Sequence, residues 1–413
     1  MMVILSNGSN KFHLASAAAE LDRRGYLNCL ITGGYPTRRA QWLAWFNRSA
    51  RVARLFDRGE PDLNERRVVA LWLPEVILQS ASLLRRFPAT TRCSEFFVNW
   101  AMRLYGDQAR KVVRNSSARV YHYRAGFGHA SVAEAKKRGM LALCDHSIAH
   151  PALVEHLTNH CGQFPQNGQA PAKINSFWQQ VLDDICQADH VVVNSDFVKQ
   201  TFVALRWAPE RIHVIYWGVD QKFLDLVPAL IPKTSCINEP LRFLFAGAFS
   251  ARKGADYLVQ AFQSIPDLPW KLSIAGSIET PQNYQAFLTD PRVSCLGTLT
   301  RTDLIKALTQ TDVFVFPSLA EGSARVVFEA LACGCFIVTT PNSGTIVKHN
   351  EHGLLVAPGD ASDLQQALRN VLAMDRNRIA EIGRKNAELI KASYTQTHYG
   401  DNLLRLYHQL IGV

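Results

Sequence analysis

The sequence predicts an α/β protein made of two doubly wound parallel-sheet domains that face each other across a cleft. Three observations carry that expectation. With 413 residues the chain is too long for one small core and suits two α/β domains. Short buried-strand runs alternate with helical patterns, the rhythm of parallel sheets. That rhythm lapses between residues 223 and 240, where three prolines fall, and it restarts beyond them.

The expected first domain spans residues 1–222. Val3-Ile4-Leu5 reads as a buried strand, the turn at Asn7-Gly8 follows, and a helical stretch runs from Phe12 to Arg24 and stops at Gly25. Leu27 to Thr32 is a second strand. From residue 36 to 118 the pattern becomes helical and basic, with helices expected over Val68 to Arg85 and Phe96 to Val113. Parallel rhythm returns with Val120 to Tyr123, a helix from Ser131 to Arg138, and strands over Met140 to Cys144, His190 to Val193 and Arg211 to Gly218. Residues 223–240 are the expected linker. The second domain, 241–394, alternates strands at Leu241 to Ala246, Trp270 to Ala275, Val313 to Phe316 and Phe336 to Thr340. Its expected helices run over Ala255 to Gln263, near Arg301 to Leu308, and over Ser323 to Cys333. A last helix within 395–413 is expected to cross back to the first domain.

Composition narrows the class. Hydrophobic residues make up 47% and charged residues 19%, so no stretch is polar enough to resist folding. No apolar run approaches the ~18 residues of a spanning helix, and the sequence predicts neither signal peptide nor membrane anchor. Nine scattered cysteines fit no disulfide framework, and Cys333 and Cys335 lack the spacing of a zinc ribbon or redox pair. A reducing, cytoplasmic setting is the expectation. Of the net charge of +10, residues 36–118 supply +8, from fifteen Lys and Arg against seven Asp and Glu. Nucleic acid, anionic lipid and phosphorylated substrates would all be drawn to such a surface, and charge does not choose among them.

The chemistry-bearing stretch is Ala320-Glu321-Gly322-Ser323-Ala324-Arg325-Val326-Val327-Phe328-Glu329, between a buried strand and a helix-stopping Gly334. Ser323 and Ala324 are expected to open the helix, whose free N–H groups and dipole favour an anion. Glu321 and Glu329 are at most about 12 Å apart along the helical rise, so both can face one cleft. A ligand with a central diphosphate and hydroxylated rings at both ends, such as a nucleotide sugar, matches that layout. A second element, Phe245-Ala246-Gly247-Ala248-Phe249-Ser250-Ala251-Arg252-Lys253-Gly254, brings Arg252 and Lys253 to a strand end, where cations stabilise a departing diphosphate without a metal. Reading these loops as lying on successive strand ends of one domain joins them into one site.

These residues resemble glycosyltransferase family 4, retaining enzymes of the GT-B fold with two facing Rossmann-like domains. The resemblance covers most of the chain and is weakest over 36–118. It rests on the Glu, seven residues and Glu of Glu321 and Glu329, on Lys253-Gly254, on Gly218-Val219-Asp220, on His352-Gly353-Leu354-Leu355-Val356 with Gly359-Asp360, and on Asn194-Ser195. It implies that Glu329 holds the ribose hydroxyls, that Glu321 holds the transferred sugar and that Lys253 neutralises the diphosphate. It further implies that Gly247 and the backbone from Gly322 to Ala324 and Arg325 contact the donor, that Gly8 closes over it, and that His146 faces the sugar from the first domain. The family usually carries Arg after the glycine numbered 247. Here Ala248 stands there, and Arg252 is the expected replacement. Ser343-Gly344-Thr345 also departs from the family's usual Gly-Gly and Glu.

The resulting expectation is a hexosyltransferase-type enzyme that moves a sugar from a UDP- or GDP-type nucleotide sugar, with no metal or other cofactor. The expected acceptor is a glycan, lipid-linked or small-molecule hydroxyl, in glycan, polysaccharide or glycolipid biosynthesis. Trp42, Trp45, Arg48, Arg51, Arg54 and Arg58 suit either packing against the first sheet or a membrane-surface helix. The reading taken is peripheral attachment to the inner membrane face through residues 36–58, with no nucleic-acid partner. A nucleotide-sugar epimerase of the same fold and a non-catalytic glycan- or nucleotide-binding homologue are the alternatives. A dinucleotide-dependent dehydrogenase is disfavoured, because Gly8 belongs to no GxGxxG sequence.

Overall fold

A computed structural model describes residues 1–9, 12–36, 59–60, 62–84, 91–165, 174–227 and 239–412. The first domain carries a seven-stranded, wholly parallel sheet in the order β3-β2-β1-β4-β5-β6-β7. Its strands are β1 (Val3–Ser6), β2 (Leu27–Thr32), β3 (Val68–Ala70), β4 (Val120–Arg124), β5 (Leu141–His146), β6 (His190–Val193) and β7 (Ile212–Val214). The helices between them are α1 (His13–Arg23), α2 (Trp72–Leu84), α3 (Thr91–Arg114), α4 (Ala130–Lys137), α5 (Val154–Asn159), α6 (Ser176–Gln187) and α7 (Asp196–Val203). Each sheet face buries its own apolar cluster. One is built on Tyr105, Tyr121, Tyr123 and Phe202, the other on Leu14, Leu30, Val120 and Leu143. Burial on both faces explains why the strands read as continuous apolar runs.

After α8 (Gln221–Leu226), the second domain forms a six-stranded parallel sheet in the order β10-β9-β8-β11-β12-β13. It uses β8 (Leu241–Ala246), β9 (Trp270–Ala275), β10 (Val293–Gly297), β11 (Val313–Phe316), β12 (Phe336–Thr339) and β13 (Gly353–Leu355). Its helices are α9 (Ala255–Gln263), α10 (Gln285–Leu288), α11 (Arg301–Thr309), α12 (Arg325–Ala332), α13 (Ala361–Leu372) and α14 (Arg376–Ser393). Cys333 and Cys335 are buried in its core. The chain then returns through α15 (Gln396–Ile411), which packs on α1 and places Tyr407 against His122 of β4. The two crossings meet where Val219 donates to the Tyr394 carbonyl at 2.8 Å and Gln396 donates to the Val219 carbonyl at 3.0 Å. Gly218 is required there. Its φ is +70°, and a Cβ would lie 2.5 Å from the Tyr394 oxygen.

Several expectations shift. Val68–Ala70 pairs with β2 as an edge strand, and the helix begins only at Trp72. In the stretch read as a strand from Arg211 to Gly218, Arg211 ends a short 3-10 turn and only 212–214 form the strand, with Ile215 adding one last bond to the Val193 carbonyl at 2.8 Å. Of residues 223–240, Phe223 to Leu226 complete α8, and 228–238 lie outside the described residues. The Trp and Arg cluster of 36–58 also lies outside them beyond residue 36.

Both sheets reverse direction at a switch point, β1/β4 in the first domain and β8/β11 in the second. Ligands of open parallel sheets bind beyond the carboxyl ends of the strands at such points. The loop bearing Lys253 follows β8 and the loop bearing Glu321 follows β11. They are therefore not successive along the chain, since β9 and β10 intervene; they are side by side in the sheet, which brings them closer than succession would.

Candidate active site

The loop after β8 ends in a short 3-10 turn, Ala251–Lys253, and Gly254 then takes φ +80° to start α9. That turn aims both cations at the neighbouring loop. Glu321 Oε1 receives Arg252 Nη1 at 2.5 Å and also pairs with Lys253 Nζ. Arg252 donates a further bond to the Ala320 carbonyl at 2.7 Å. Burial pulls the Lys253 ammonium below its usual pKa, against the opposing pull of Glu321. Lys253 also lies 5.1 Å from the centre of the Phe316 ring. A partly buried cation held at a strand end by one carboxylate is ready to share its charge with an incoming anion.

The helix expected to open at Ser323 opens at Arg325, with Ala324 as its N-cap and no side chain capping it. An uncapped start leaves backbone N–H groups for an anion. Glu329 sits in the second turn, 9% exposed, and accepts from Arg325 Nε at 3.2 Å. Burial raises its carboxyl above the usual range, while Arg325 and Arg301 pull the other way. Arg325 and Arg301 both pair with Asp220 Oδ2, the former at 2.5 Å. Asp220 Oδ1 meanwhile caps α8 through the Phe223 amide at 2.9 Å. Burial opposes ionisation of Asp220, but the Arg301 hydrogen bond, the Phe223 amide and both arginine charges outweigh it and hold its pKa low.

Gly247, Lys253, Glu321, Ser323, Ala324, Arg325 and Glu329 line one cavity of about 480 Å³. That volume is of the size that holds a small organic ligand. Arg252 joins it through Glu321. The remaining sequence-predicted residues stand elsewhere. Gly322 faces the first domain. Its carbonyl accepts from Ser195 Oγ at 2.5 Å, and a Cβ there would lie 1.7 Å from the Ser147 oxygen. Gly8 lies at the switch point of the first sheet with φ +72°. Its amide binds Tyr105 Oη at 3.1 Å, and a Cβ would meet the Phe127 ring at 2.6 Å. His146 is the last residue of β5 rather than a residue beyond the strand. It is 4% exposed, donates through Nε2 to the Ala149 carbonyl at 3.1 Å, and is held neutral by burial, with its pKa lowered to about 4. It precedes Ser147, whose carbonyl abuts Gly322, so it borders the interdomain contact without lining the cavity.

Sequence reasoning missed Asp220 as a site residue, although Gly-Val-Asp was noted, and missed Arg301 altogether. The available signal was a cation in the first turn of a helix, which the dipole disfavours unless an anion compensates it. Ser343, where the sequence begins to depart from the family it resembles, and the preceding Asn342 brace the site. Ser343 accepts from the Ala324 amide at 2.9 Å, and Asn342 Nδ2 bridges the carbonyls of Leu319 and Gly162, each at 2.8 Å.

Two parallel-sheet Rossmann-like domains, with an anion-ready loop pair at the switch point of the second, define the GT-B architecture. Residues 240–374 match the family model described as Glycosyl transferases group 1. The chain is 27% identical over 267 residues to the lipopolysaccharide core biosynthesis glycosyltransferase LpsE of Rhizobium meliloti, covering 60% of this chain and 73% of that protein. It is 23% identical over 345 residues to the putative colanic acid biosynthesis glycosyltransferase WcaL of Escherichia coli, covering 75% and 77%. The match to the putative glycosyltransferase YtcC of Bacillus subtilis, 28% over 264 residues, covers 56% of this chain and 62%, under two thirds, of that protein. Sucrose-phosphate synthase from Thermosynechococcus elongatus shares the fold along the whole of both chains, with a TM-score of 0.65 at 17% identity. These relatives are named as glycosyltransferases, and the epimerase alternative finds no support among them.

Proposed function

We propose that this chain transfers a sugar from a nucleoside-diphosphate sugar to a hydroxyl acceptor, with the anomeric configuration retained. The observation that carries the reading is the convergence of Lys253, Glu321 and Glu329 on one cavity at the switch point of the second sheet. Glu329 takes the ribose hydroxyls at the buried end, Lys253 and Arg252 take the diphosphate, and Glu321 takes hydroxyls of the transferred sugar. The Anabaena HepE structure, of the same fold with a TM-score of 0.59 at 16% identity, holds UDP and glucose, which supports a donor of this kind. Relatives named for lipopolysaccharide core and colanic acid biosynthesis support a polysaccharide or glycolipid product.

Bond breaking leaves negative charge on the diphosphate, and the two cations together with the open start of α12 stabilise it. The acceptor hydroxyl then attacks the face that the diphosphate leaves, and the departing oxygen takes its proton. No metal is required in this scheme, so turnover should persist in chelator. Transfer assays in EDTA, with product configuration read by NMR, test both points. Loss of activity in EDTA would contradict the metal-free scheme, and an inverted anomer would contradict retention.

A further inference from the structure

We infer that His13 is a positioning residue for transfer: held by Asp145, it seats Trp217 and so fixes where α12, the helix bearing Glu329, stands against the first domain. Asp145 lies near the end of β5 with its side chain buried. Its Oδ2 takes His13 Nε2 at 2.9 Å and lies 3.4 Å from His122 Nε2, and His122 Nδ1 meets Tyr407 Oη of α15 at 2.7 Å. Arg124, whose charge also attracts Asp145, donates to the Ser9 carbonyl at 3.0 Å. Burial opposes ionisation of Asp145, but the two imidazoles outweigh it and hold its pKa well below the usual range. None of these groups lines the donor cavity.

The His13 ring does two things at once. An ionised carboxylate only accepts, so Nε2 donates to it, and Nδ1 finds no partner among the described residues. The ring itself stacks on Trp217, with centroids 3.9 Å apart and planes at 26°. Glutamine would supply the donor without the ring, and phenylalanine the ring without the donor. A carboxylate and two imidazoles buried beneath a helix are a costly filling for a core, since apolar side chains of like volume often pack there as stably. What the hydrogen bond adds is direction: it fixes the plane of the ring, and that plane seats Trp217.

Trp217 stands where the domains part. It packs on the first-domain cluster that contains Leu14 and Val120, whereas Tyr216 and Val219 pack on the core of the second domain. The Tyr216 ring lies 5.8 Å from that of Phe328 in α12, and Asp220 pairs with Arg325 at the head of the same helix. Residues 216–220 therefore grip α12 at two points, and Trp217 between them is their hold on the first domain. The Ser195 bond to the Gly322 carbonyl joins the domains at the cleft, and Trp217 joins them at the crossing. Releasing Trp217 lets α12 shift against the first domain while the cavity residues keep their mutual geometry. The consequence for turnover rests on the proposed transfer; the hold between the domains does not.

The test compares wild type with Trp217→Ala, Trp217→Phe, His13→Gln and the double variant His13→Gln with Trp217→Ala. Trp217 is only half-buried and His13→Gln keeps a donor for Asp145, so melting temperatures should stay near that of wild type. Trp217→Ala and His13→Gln should each lower kcat about tenfold to a hundredfold, with the donor Kd from calorimetry within about threefold of wild type. Trp217→Phe keeps a ring on His13 and should recover kcat to within about threefold. The double variant should be no slower than the slower single one, because the two side chains act as one unit. An unchanged kcat in either single variant, losses that multiply in the double, a Trp217→Phe enzyme as slow as Trp217→Ala, or a Kd that weakens as much as kcat falls would each overturn the inference. Small-angle X-ray scattering reads the hold without the reaction. Wild type should fit the two-domain arrangement described above and both single variants should depart from it; variants that scatter like wild type overturn the inference. Wild type that neither binds a nucleotide sugar nor transfers one strikes the proposed reaction instead, and the scattering comparison then decides the hold by itself.

Discussion

Gly322→Ala isolates the contribution of interdomain contact to the chemistry. The α-carbon of Gly322 presses on the first domain so closely that an added Cβ would sit 1.7 Å from the Ser147 oxygen and 2.9 Å from Asn194 Nδ2. Real Cβ contacts under 3.0 Å essentially never occur, so backbone must part from backbone by about 1.3 Å. Ser147 and Asn194 follow β5 and β6, whereas Gly322 follows β11, so the parting falls between the domains rather than within either core. A misplacement of about 1 Å costs on the order of a hundredfold in rate when reacting groups come from both sides. Donor affinity should change by less than about threefold, because Lys253, Glu321 and Glu329 all belong to the second domain and keep their mutual geometry. The assay is transfer rate together with donor binding by calorimetry. Gly139→Ala is the control, since Gly139 has φ +71° and nothing within 4 Å of an added Cβ. It should cost about 1–2 kcal/mol of stability and leave the rate alone. A Gly322→Ala enzyme within threefold of wild-type rate would refute the reasoning.

Lys253→Ala should lower kcat by about a hundredfold to a thousandfold, and Arg252→Ala nearly as much, since each removes charge from the leaving diphosphate. Initial rates at saturating donor decide this, and an unaffected Arg252→Ala would remove that residue from the chemistry. Glu329→Ala should raise the donor KM about tenfold to a hundredfold with kcat largely kept, because the ribose lies away from the reacting carbon. Asp220→Asn should raise it roughly threefold to tenfold by releasing Arg325 and Arg301 beside Glu329, and an unchanged KM would confine Asp220 to capping α8. His146 predicts a pH dependence. Its folded pKa, lowered by burial to about 4 from an ordinary value of 6.5, means that its contribution to stability is full above pH 6.5 and is lost as pH falls toward 4. Denaturant unfolding of wild type and His146→Gln should diverge by about 3 kcal/mol across that window, and parallel curves would contradict the assignment.

The second domain was the more legible half of the sequence. Leu241–Ala246, Trp270–Ala275 and Val313–Phe316 are mostly buried strands that stop at turn residues, so their limits can be read directly. Val293–Gly297 could not be read that way, because on the sheet edge only Val293 is buried and no apolar run results. Val68 to Leu73 is apolar throughout, and such a run does not say by itself where an edge strand gives way to a helix. The paired glutamates and Lys253 were legible because their loops are local. The Asp220 pairings with Arg301 and Arg325 span 81 and 105 residues, and only the sheet order and the chain crossing at Gly218 bring those groups together. Likewise, nothing local in Glu321-Gly322-Ser323 says that the glycine faces another domain. That requirement is set by Ser147, 175 positions earlier in the chain.

The central claim is that one nucleoside diphosphate is held between Glu329 and the Lys253–Glu321 pair. The most direct measurement is a thermal-shift panel of UDP, GDP and ADP sugars against wild type, Lys253→Ala and Glu329→Ala. A ligand that binds only the folded state raises the melting temperature with concentration. The account predicts that sugars of one nucleotide raise the wild-type melting temperature and that each substitution reduces the rise by about tenfold or more in ligand concentration. No rise with any member of the panel, or a rise that both variants keep, would contradict it.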